Sequence, residues 1–252
     1  MRLAGRVALV TGGGTGLGRA ISLALSESGA AVAVNWSRSG DAAEETVEAI
    51  RGQGGRAVAV RADVTDGAAV DAMLDAVVTE LGPLSILVNN AGTTMYAPFP
   101  DIDAVRDDDW ARILDVNVVG AYRCVRAARR AMPAGGGKVL NVASNSAFTA
   151  AGSSIPYVVS KSALVSLTQC LARALAPDVQ VNAIAPGWMA TGWADRHLPA
   201  DVARGIADGG AGAVAVDDVA AMAVRIVEND GMTGEVVVVD RGEIWLERGD
   251  VG

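Results

Sequence analysis

The sequence predicts an α/β protein built on one doubly wound parallel sheet of about seven strands, with helices on both faces. Three observations carry that expectation. Short β-branched runs alternate with longer amphipathic stretches almost to the C-terminus, the pattern of strands joined by crossover helices. The strand runs are nearly unbroken apolar, as strands covered on both faces must be. The first of them passes through a glycine-rich turn directly into a helical stretch.

In chain order, the first strand is Val7–Val10, followed by a helix near Gly16–Ser28 and a second strand, Ala31–Asn35. A helix over Asp41–Arg51 leads to Ala57–Arg61, and one over Ala68–Leu81 leads to Ile86–Asn89. The long helical stretch Asp109–Met132 precedes Val139–Val142, Ser154–Ala176 precedes Val179–Ile184, and Asp217–Glu228 precedes the last strand, Val236–Val239. Such alternation imposes right-handed crossovers within a single sheet. No linker, repeat or low-complexity tract divides the chain, so residues 1–252 read as one domain. Two segments break the alternation. Thr93–Asp108 carries Pro98, Pro100 and several aspartates; Gly187–Val216 contains Gly205, Gly209, Gly210 and Gly212 and little that is apolar beyond Trp188 and Trp193. Both follow the C-terminal end of a strand, where open α/β sheets bind ligands, and residues 187–216 read as a substrate loop or lid.

The composition excludes several classes of function. Of 252 residues, 21 are Lys or Arg and 29 Asp or Glu, a net charge of −8, so no cationic excess is available to displace counterions from a nucleic acid. A 51% hydrophobic content with 20% charged residues supplies a buried core and argues against disorder. The uncharged stretches are broken by Asn, Ser, Gly and Pro and lack an apolar run of the ~20 residues that a membrane span needs. The run Val7–Val10 is too short for a signal-peptide core. A cytoplasmic protein without a membrane partner is expected. Cys124 and Cys170 lie far apart and read as two reduced thiols inside helices. Only Lys138 and Lys161 are lysines.

The first turn reads Thr11-Gly12-Gly13-Gly14-Thr15-Gly16-Leu17-Gly18. Glycines there let backbone N–H groups approach a pyrophosphate, which the following helix N-terminus also attracts. The glycine spacing is Gly-x-x-x-Gly-x-Gly at 12, 16 and 18, and no Gly-Lys-Ser/Thr ending follows, which excludes a nucleotide triphosphatase loop. Further on, Tyr157 and Lys161 stand four residues apart at the start of a helical stretch, on one face. A tyrosine hydroxyl has an ordinary pKa of ~10, too high to exchange protons readily at neutral pH. A neighbouring ammonium favours the phenolate, and lowering the pKa to ~7 takes about 4 kcal/mol of differential interaction.

Taken in order, Thr11–Gly18, Asp63, Asn89-Asn90-Ala91-Gly92, Asn117, Ser144, Tyr157-x-x-x-Lys161 and Pro186-Gly187 with Thr191 resemble the motif set of the classical short-chain dehydrogenases/reductases, from the first strand to about Gly242. The general likeness is to 3-oxoacyl-[acyl-carrier-protein] reductases. The resemblance implies a Rossmann-type fold and a catalytic set of Asn117, Ser144, Tyr157 and Lys161. Tyr157 would donate the proton to a substrate oxygen during reduction and Ser144 would polarise that oxygen. Lys161, together with the positive nicotinamide of the oxidised cofactor, would lower the tyrosine pKa, and the Asn117 backbone would hold a water that links Lys161 to solvent. Ser146 is a competitor for Ser144, and an asparagine bonded within its own helix is the plain alternative for Asn117.

The same resemblance implies a cofactor site made of Thr11, Gly12, Gly14, Thr15, Gly16, Leu17 and Gly18. Asp63 and Val64 would sit at the adenine, and Asn89, Ala91 and Gly92 along the middle. Tyr157, Lys161, Pro186, Gly187 and Thr191 would lie at the nicotinamide. Asp63 serves equally well as a helix N-terminal acid. By alignment to the family, Trp36 takes the place of the acid typical of NAD users. Ser37 and Arg38 then offer a hydroxyl and a bidentate cation to a 2′-phosphate, so NADP(H) is favoured and NAD(H) stays open; a solvated loop arginine is the alternative for Arg38. Family members are commonly homotetramers, which implies a homo-oligomer, tetramer or dimer, with contacts through Asp109–Met132 and Ser154–Ala176.

The expected substrate is a small ketone or secondary alcohol, free or carried on coenzyme A or a carrier protein. Trp188, Met189 and Trp193, with Met95, Tyr96 and Phe99, are placed to wall an apolar pocket, and ordinary lid packing explains them equally well. Asp240-Arg241-Gly242 stands where the family usually has Asp-Gly-Gly, a departure that keeps a pathway-specific, non-thioester ketoreductase or alcohol dehydrogenase in play. A non-catalytic NADP(H) sensor is the competing class, and it has no need of Tyr157 and Lys161. The single histidine, His197, reads as a lid residue. Asp107-Asp108-Asp109 reads as the acidic start of a helix, and no His/Cys cluster points to a metal.

Overall fold

Seven strands pair in parallel in the order β3-β2-β1-β4-β5-β6-β7 in the computed structural model, which describes residues 2–134, 136–208 and 213–246. The strands are β1 (Val7–Val10), β2 (Ala31–Trp36), β3 (Ala57–Arg61), β4 (Ile86–Asn89), β5 (Gly137–Val142), β6 (Val179–Pro186) and β7 (Val236–Val239). The expected doubly wound fold is the observed one, and the strand order reverses between β1 and β4. That switch point opens a crevice at the C-terminal strand ends.

Period-two alternation sorts the strand side chains between two cores. Ala8, Val10, Val32 and Val34 face the first, which is closed by α1 (Gly16–Glu27), α2 (Gly40–Gly52) and α10 (Val216–Glu228). Val7, Leu9, Ala31 and Ala33 face the second, under α3 (Gly67–Leu81), α5 (Ala121–Ala131) and α7 (Ile155–Leu175). The α1 stripe of Leu17, Ile21 and Leu25 is buried, at about 1.5–3 kcal/mol per large side chain. It holds the glycine-rich turn against the sheet.

The helical stretch Asp109–Met132 proves not to be one α-helix. α4 (Asp107–Leu114) passes through a π-helical turn, Asp115–Gly120, into α5. Its three leading aspartates open α4, and Asp109 Oδ2 accepts the Arg106 N–H at 3.3 Å. The segment after β6 also holds more structure than its composition suggested. α8 (Gly192–His197) and α9 (Ala200–Ala207) bury Ala194, Leu198, Ala203 and Ile206 against Trp188 and Val202. Gly209, Gly210 and Gly212 lie outside the described residues. A short α6 (Ser146–Thr149) follows β5, and α11 (Glu243–Leu246) ends the described chain. Cys124 and Cys170 are both free, on α5 and α7. No helix among the described residues is long and apolar enough to cross a membrane.

Candidate active site

A cleft of about 550 Å³ opens at the switch point, and its floor is the turn between β1 and α1. That turn is braced from below. Thr11 Oγ1 accepts the N–H groups of Asn90 (2.9 Å) and Ala91 (3.0 Å). Asn90 Nδ2 donates to the carbonyls of Thr11 and Gly12, and Asn35 Oδ1 accepts the Gly12 N–H at 3.3 Å. A Cβ on Gly18 would stand 2.2 Å from the Gly12 carbonyl oxygen, so only glycine lets the helix start so close to the turn. No side chain caps α1, and its first turn holds no acid. Its free N–H dipole therefore faces the cleft, a donor set suited to a pyrophosphate. Gly12, Gly14, Thr15, Gly16, Leu17 and Gly18 line this floor. Thr11, by contrast, is buried beneath it.

At one end lie Ser37 and Arg38, exposed after β2. Asp63 sits beside them, its carboxyl held below the usual carboxylate range first by the Thr65 N–H and hydroxyl and also by the Arg38 charge. Helix α3 is capped by Asp66, which accepts the N–H groups of Ala68 and Ala69, so Asp63 is not the cap. One neighbour was missed in the sequence. The Trp36 ring lies under the Arg61 guanidinium at 5.5 Å, and Arg61 lines a recess shared with Ser37, Arg38 and Asp63. A strand-end arginine carries no motif, and only the β2–β3 pairing of Trp36 with Arg61 brings it here.

Along the middle, Asn90, Ala91 and Gly92 reach the cleft. Asn89 does not. Its amide donates inward to Asn141 Oδ1 at 2.9 Å and to the Ala121 carbonyl, because strand alternation turns adjacent side chains to opposite sides. Val64, Pro186, Gly187 and Thr191 line the wall as well, and Thr191 faces Gly16 across the floor.

Helix α7 carries Tyr157 and Lys161 on one face into the cleft. Tyr157 is half-buried and hydrogen-bonded to Ser144, which follows β5. Burial pushes the tyrosine hydroxyl up to about 12, and the Ser144 bond acts in the opposite direction. The Lys161 ammonium stands 5.7 Å from the ring centroid and donates to the Val142 carbonyl at 2.7 Å. Lys161 is only 5% exposed, and burial pushes its own pKa down to about 8. Ser146 lines the cleft too, but the bond to Tyr157 belongs to Ser144.

Asn117 lies in the π-turn, 2% exposed, and does not bond within its own helix. Its Oδ1 accepts the Thr93 N–H (2.8 Å), and its Nδ2 donates to the Thr93 carbonyl and to Ser160 Oγ, both at 2.9 Å. Ser160 in turn donates to the Tyr157 carbonyl at 2.7 Å. The asparagine thus ties the loop after β4 to α7 beside Lys161. The wider turn presents it there, and π-turns recur at functional sites.

On the outer side, Trp188, Met189 and Trp193 line the cleft, and the Trp193 ring stands 5.8 Å from that of Tyr157. Met95, Tyr96 and Phe99 do not line it; Thr93 takes that wall, with Arg112. His197, Arg196 and Glu243 also reach it. Glu243 Oε2 accepts from Asn145 Nδ2 at 2.9 Å, next to Ser144.

Comparison with known proteins gives a consistent result. Residues 6–202 match the family model described as short chain dehydrogenase. A ketoacyl reductase assigned to the granaticin polyketide synthase of Streptomyces violaceoruber is 36% identical over 94% of this chain and 95% of its own. The 3-oxoacyl-[acyl-carrier-protein] reductase of Staphylococcus aureus is 35% identical over 75% of this chain and 76% of its own. A short chain dehydrogenase of Burkholderia cenocepacia, solved in complex with NADP, superposes with a TM-score of 0.86 at 34% identity, covering 96% of this chain and 99% of that one.

Proposed function

The chain belongs to the short chain dehydrogenase family, and from that premise we propose that it is an NADP(H)-dependent oxidoreductase interconverting a ketone and a secondary alcohol. The observation that carries this reading is the convergence of Tyr157, its Ser144 hydrogen bond and the buried Lys161 ammonium on one cleft beside the glycine-rich turn. The residues fit a dinucleotide. The uncapped α1 N-terminus would receive the pyrophosphate and Asp63 would meet the adenine, while Ser37 and Arg38, with Arg61 behind them, would receive the 2′-phosphate; these groups line the cleft and its adjoining recess. That donor set favours NADP(H) over NAD(H), and the NADP complex of the Burkholderia relative accords with it.

When bound, the nicotinamide supplies or accepts the hydride. The chain's own residues handle the oxygen and its proton. Ser144 donates a hydrogen bond to the carbonyl oxygen and polarises it. Tyr157, protonated at neutral pH as a tyrosine of ordinary pKa ~10 already is, passes its O–H proton to that oxygen as the alkoxide develops. Proton transfer of this kind contributes about 10²–10⁴-fold. Lys161 holds the charge that then forms on the tyrosine and returns a proton to it from the Asn117 side. In the oxidative direction Tyr157 must first ionise, so raising the pH favours that direction.

The substrate is a 3-oxoacyl thioester or a similar ketone, as the two reductase relatives suggest. The Trp188, Met189 and Trp193 wall supports an apolar acyl or alkyl group. A homo-oligomer is part of the same proposal: Val119, Tyr122 and Val159 are exposed on the π-turn, α5 and α7. Light scattering tests it, and a monomer at working concentration refutes it. The activity is tested by following NADPH oxidation with acetoacetyl-CoA and with simple methyl ketones. Consumption with any of these supports the reading, and tight NADPH binding without turnover of any ketone supports the sensor instead.

A further inference from the structure

Beyond Trp193 the cleft becomes cationic. Arg112 from α4 and Arg196 and His197 from α8 line its outer part. The His197 ring lies 5.1 Å from Trp193, whose other ring neighbour is Tyr157 at 5.8 Å. Arg112 Nη1 donates to Thr93 Oγ1 at 2.8 Å, which fixes it on the wall. Its acid partner, Asp109, is 3.5 Å away and is shared with Arg106. Among the described residues Arg196 has no carboxylate within 4.0 Å. Both guanidiniums act on His197: burial first, then the charges of Arg196 and Arg112, hold its imidazole below the ordinary value. Arg112 and Arg196 thus line the same outer part of the cleft as the His197 imidazole, Arg112 sharing its one acid with Arg106 and Arg196 having none in reach among the described residues, a donor set suited to an anion.

We propose that the substrate of this site carries an oxyanion, a carboxylate or a phosphate, which Arg112 and Arg196 hold beyond the Trp193 ring while the ketone lies at Tyr157. The inference rests on the ketoreductase reading and narrows it. The shared chemistry is a planar or tetrahedral oxyanion gripped by guanidinium forks. Two sources fit: a carboxylate ending an oxo-acid chain, or the phosphate of a thioester's pantetheine arm. Separated by a ring from the reacting end, the anion sits several bonds from the carbonyl, which disfavours α-oxo acids.

The test compares two pairs in the wild type and in Arg196→Gln: a seven-carbon methyl-ketone acid with its methyl ester, and acetoacetyl-CoA with acetoacetyl-N-acetylcysteamine. Arg196 is exposed on a short helix, so the variant leaves the core intact. The wild type is expected to favour the charged member of one pair by about 10–100-fold in kcat/KM, chiefly through KM, the size of a charge-assisted hydrogen bond. The pair that shows the preference identifies the carboxylate or the phosphate as the source. In the variant the ratio of charged to neutral falls towards one. Equal kcat/KM within both wild-type pairs, or equal losses for charged and neutral members in the variant, overturns the proposal. Binding of the same compounds to the NADPH complex, read by tryptophan fluorescence, separates the two failures. Charge-dependent binding that Arg196→Gln abolishes, with no turnover, sustains the anion site and refutes the ketoreductase reading; binding indifferent to charge refutes the anion site.

Discussion

Replacing Lys161 with methionine is expected to stabilise the cofactor-free protein at neutral pH while abolishing turnover. Burial brings the Lys161 pKa from 10.5 down to about 8, which at ~1.4 kcal/mol per pH unit amounts to about 3 kcal/mol of penalty on the charged form. The 2.7 Å bond to the Val142 carbonyl offsets about 1.5–3 kcal/mol of that, so the net gain at pH 7 is about 1 kcal/mol. The sharper signature is the pH dependence. The folded lysine releases its proton at lower pH than the unfolded one, so between about pH 8 and 10.5 the unfolded chain binds more protons and the wild type gains stability as pH rises. From pH 7 to pH 9.5 that gain is about 2 kcal/mol, and the methionine variant lacks it. At about 2–4 °C per kcal/mol for a chain of this size, the wild type should gain about 4–8 °C in Tm relative to Lys161→Met over that interval. Scanning calorimetry of both proteins at the two pH values measures it. A Tm difference that stays constant from pH 7 to 9.5 means that Lys161 titrates at its ordinary value, and the reasoning about its burial fails.

Three further outcomes follow from the site. Ser144→Ala should lower kcat by about 10²-fold or more, as loss of a polarising donor does, and the alkaline limb of the pH–rate profile should move upward, because the Ser144 bond acts to lower the tyrosine pKa; an unmoved limb refutes the coupling. Arg38→Gln should weaken NADPH binding by about 10–100-fold and leave NADH binding nearly unchanged, measured by calorimetry; equal losses for both dinucleotides contradict a 2′-phosphate role. Gly18→Ala brings a Cβ to 2.2 Å from the Gly12 oxygen, so the turn must open. A stability loss of about 1–3 kcal/mol should accompany the loss of NADPH affinity, and a variant that binds normally shows the turn to be looser than its contacts require.

Most of the sheet was legible because strands buried on both faces leave apolar runs with sharp ends. The readings differ only at margins: β2 continues to Trp36 past the expected Asn35, β6 continues to Pro186 past the expected Ile184, and β5 starts at Gly137 instead of Val139. Pairing extends a strand through residues whose side chains give no signal. The π-turn at Asn117 was not legible, since one extra residue per turn leaves the periodicity of Asp109–Met132 almost unchanged. The lid helices were missed because six- and eight-residue segments with few large apolar side chains read as loop. Within the site, motif spacing located Ser144, Tyr157 and Lys161 but gave no means of telling Asn89 from Asn90. Strand alternation decides that pair, turning Asn89 into the sheet and leaving Asn90 to brace the turn. Arg61, Arg112 and Arg196 belong to no motif, and tertiary packing alone brings them to the cleft.

The measurement that tests the central claim most directly is NADPH-dependent ketone reduction by the wild type and by Tyr157→Phe, with NADPH affinity determined for both. The phenylalanine variant keeps the ring against Trp193 and Lys161 and removes only the hydroxyl. Unchanged NADPH affinity with turnover reduced about 10²–10⁴-fold is the predicted result. Turnover that survives the loss of the hydroxyl would contradict Tyr157 as the proton donor.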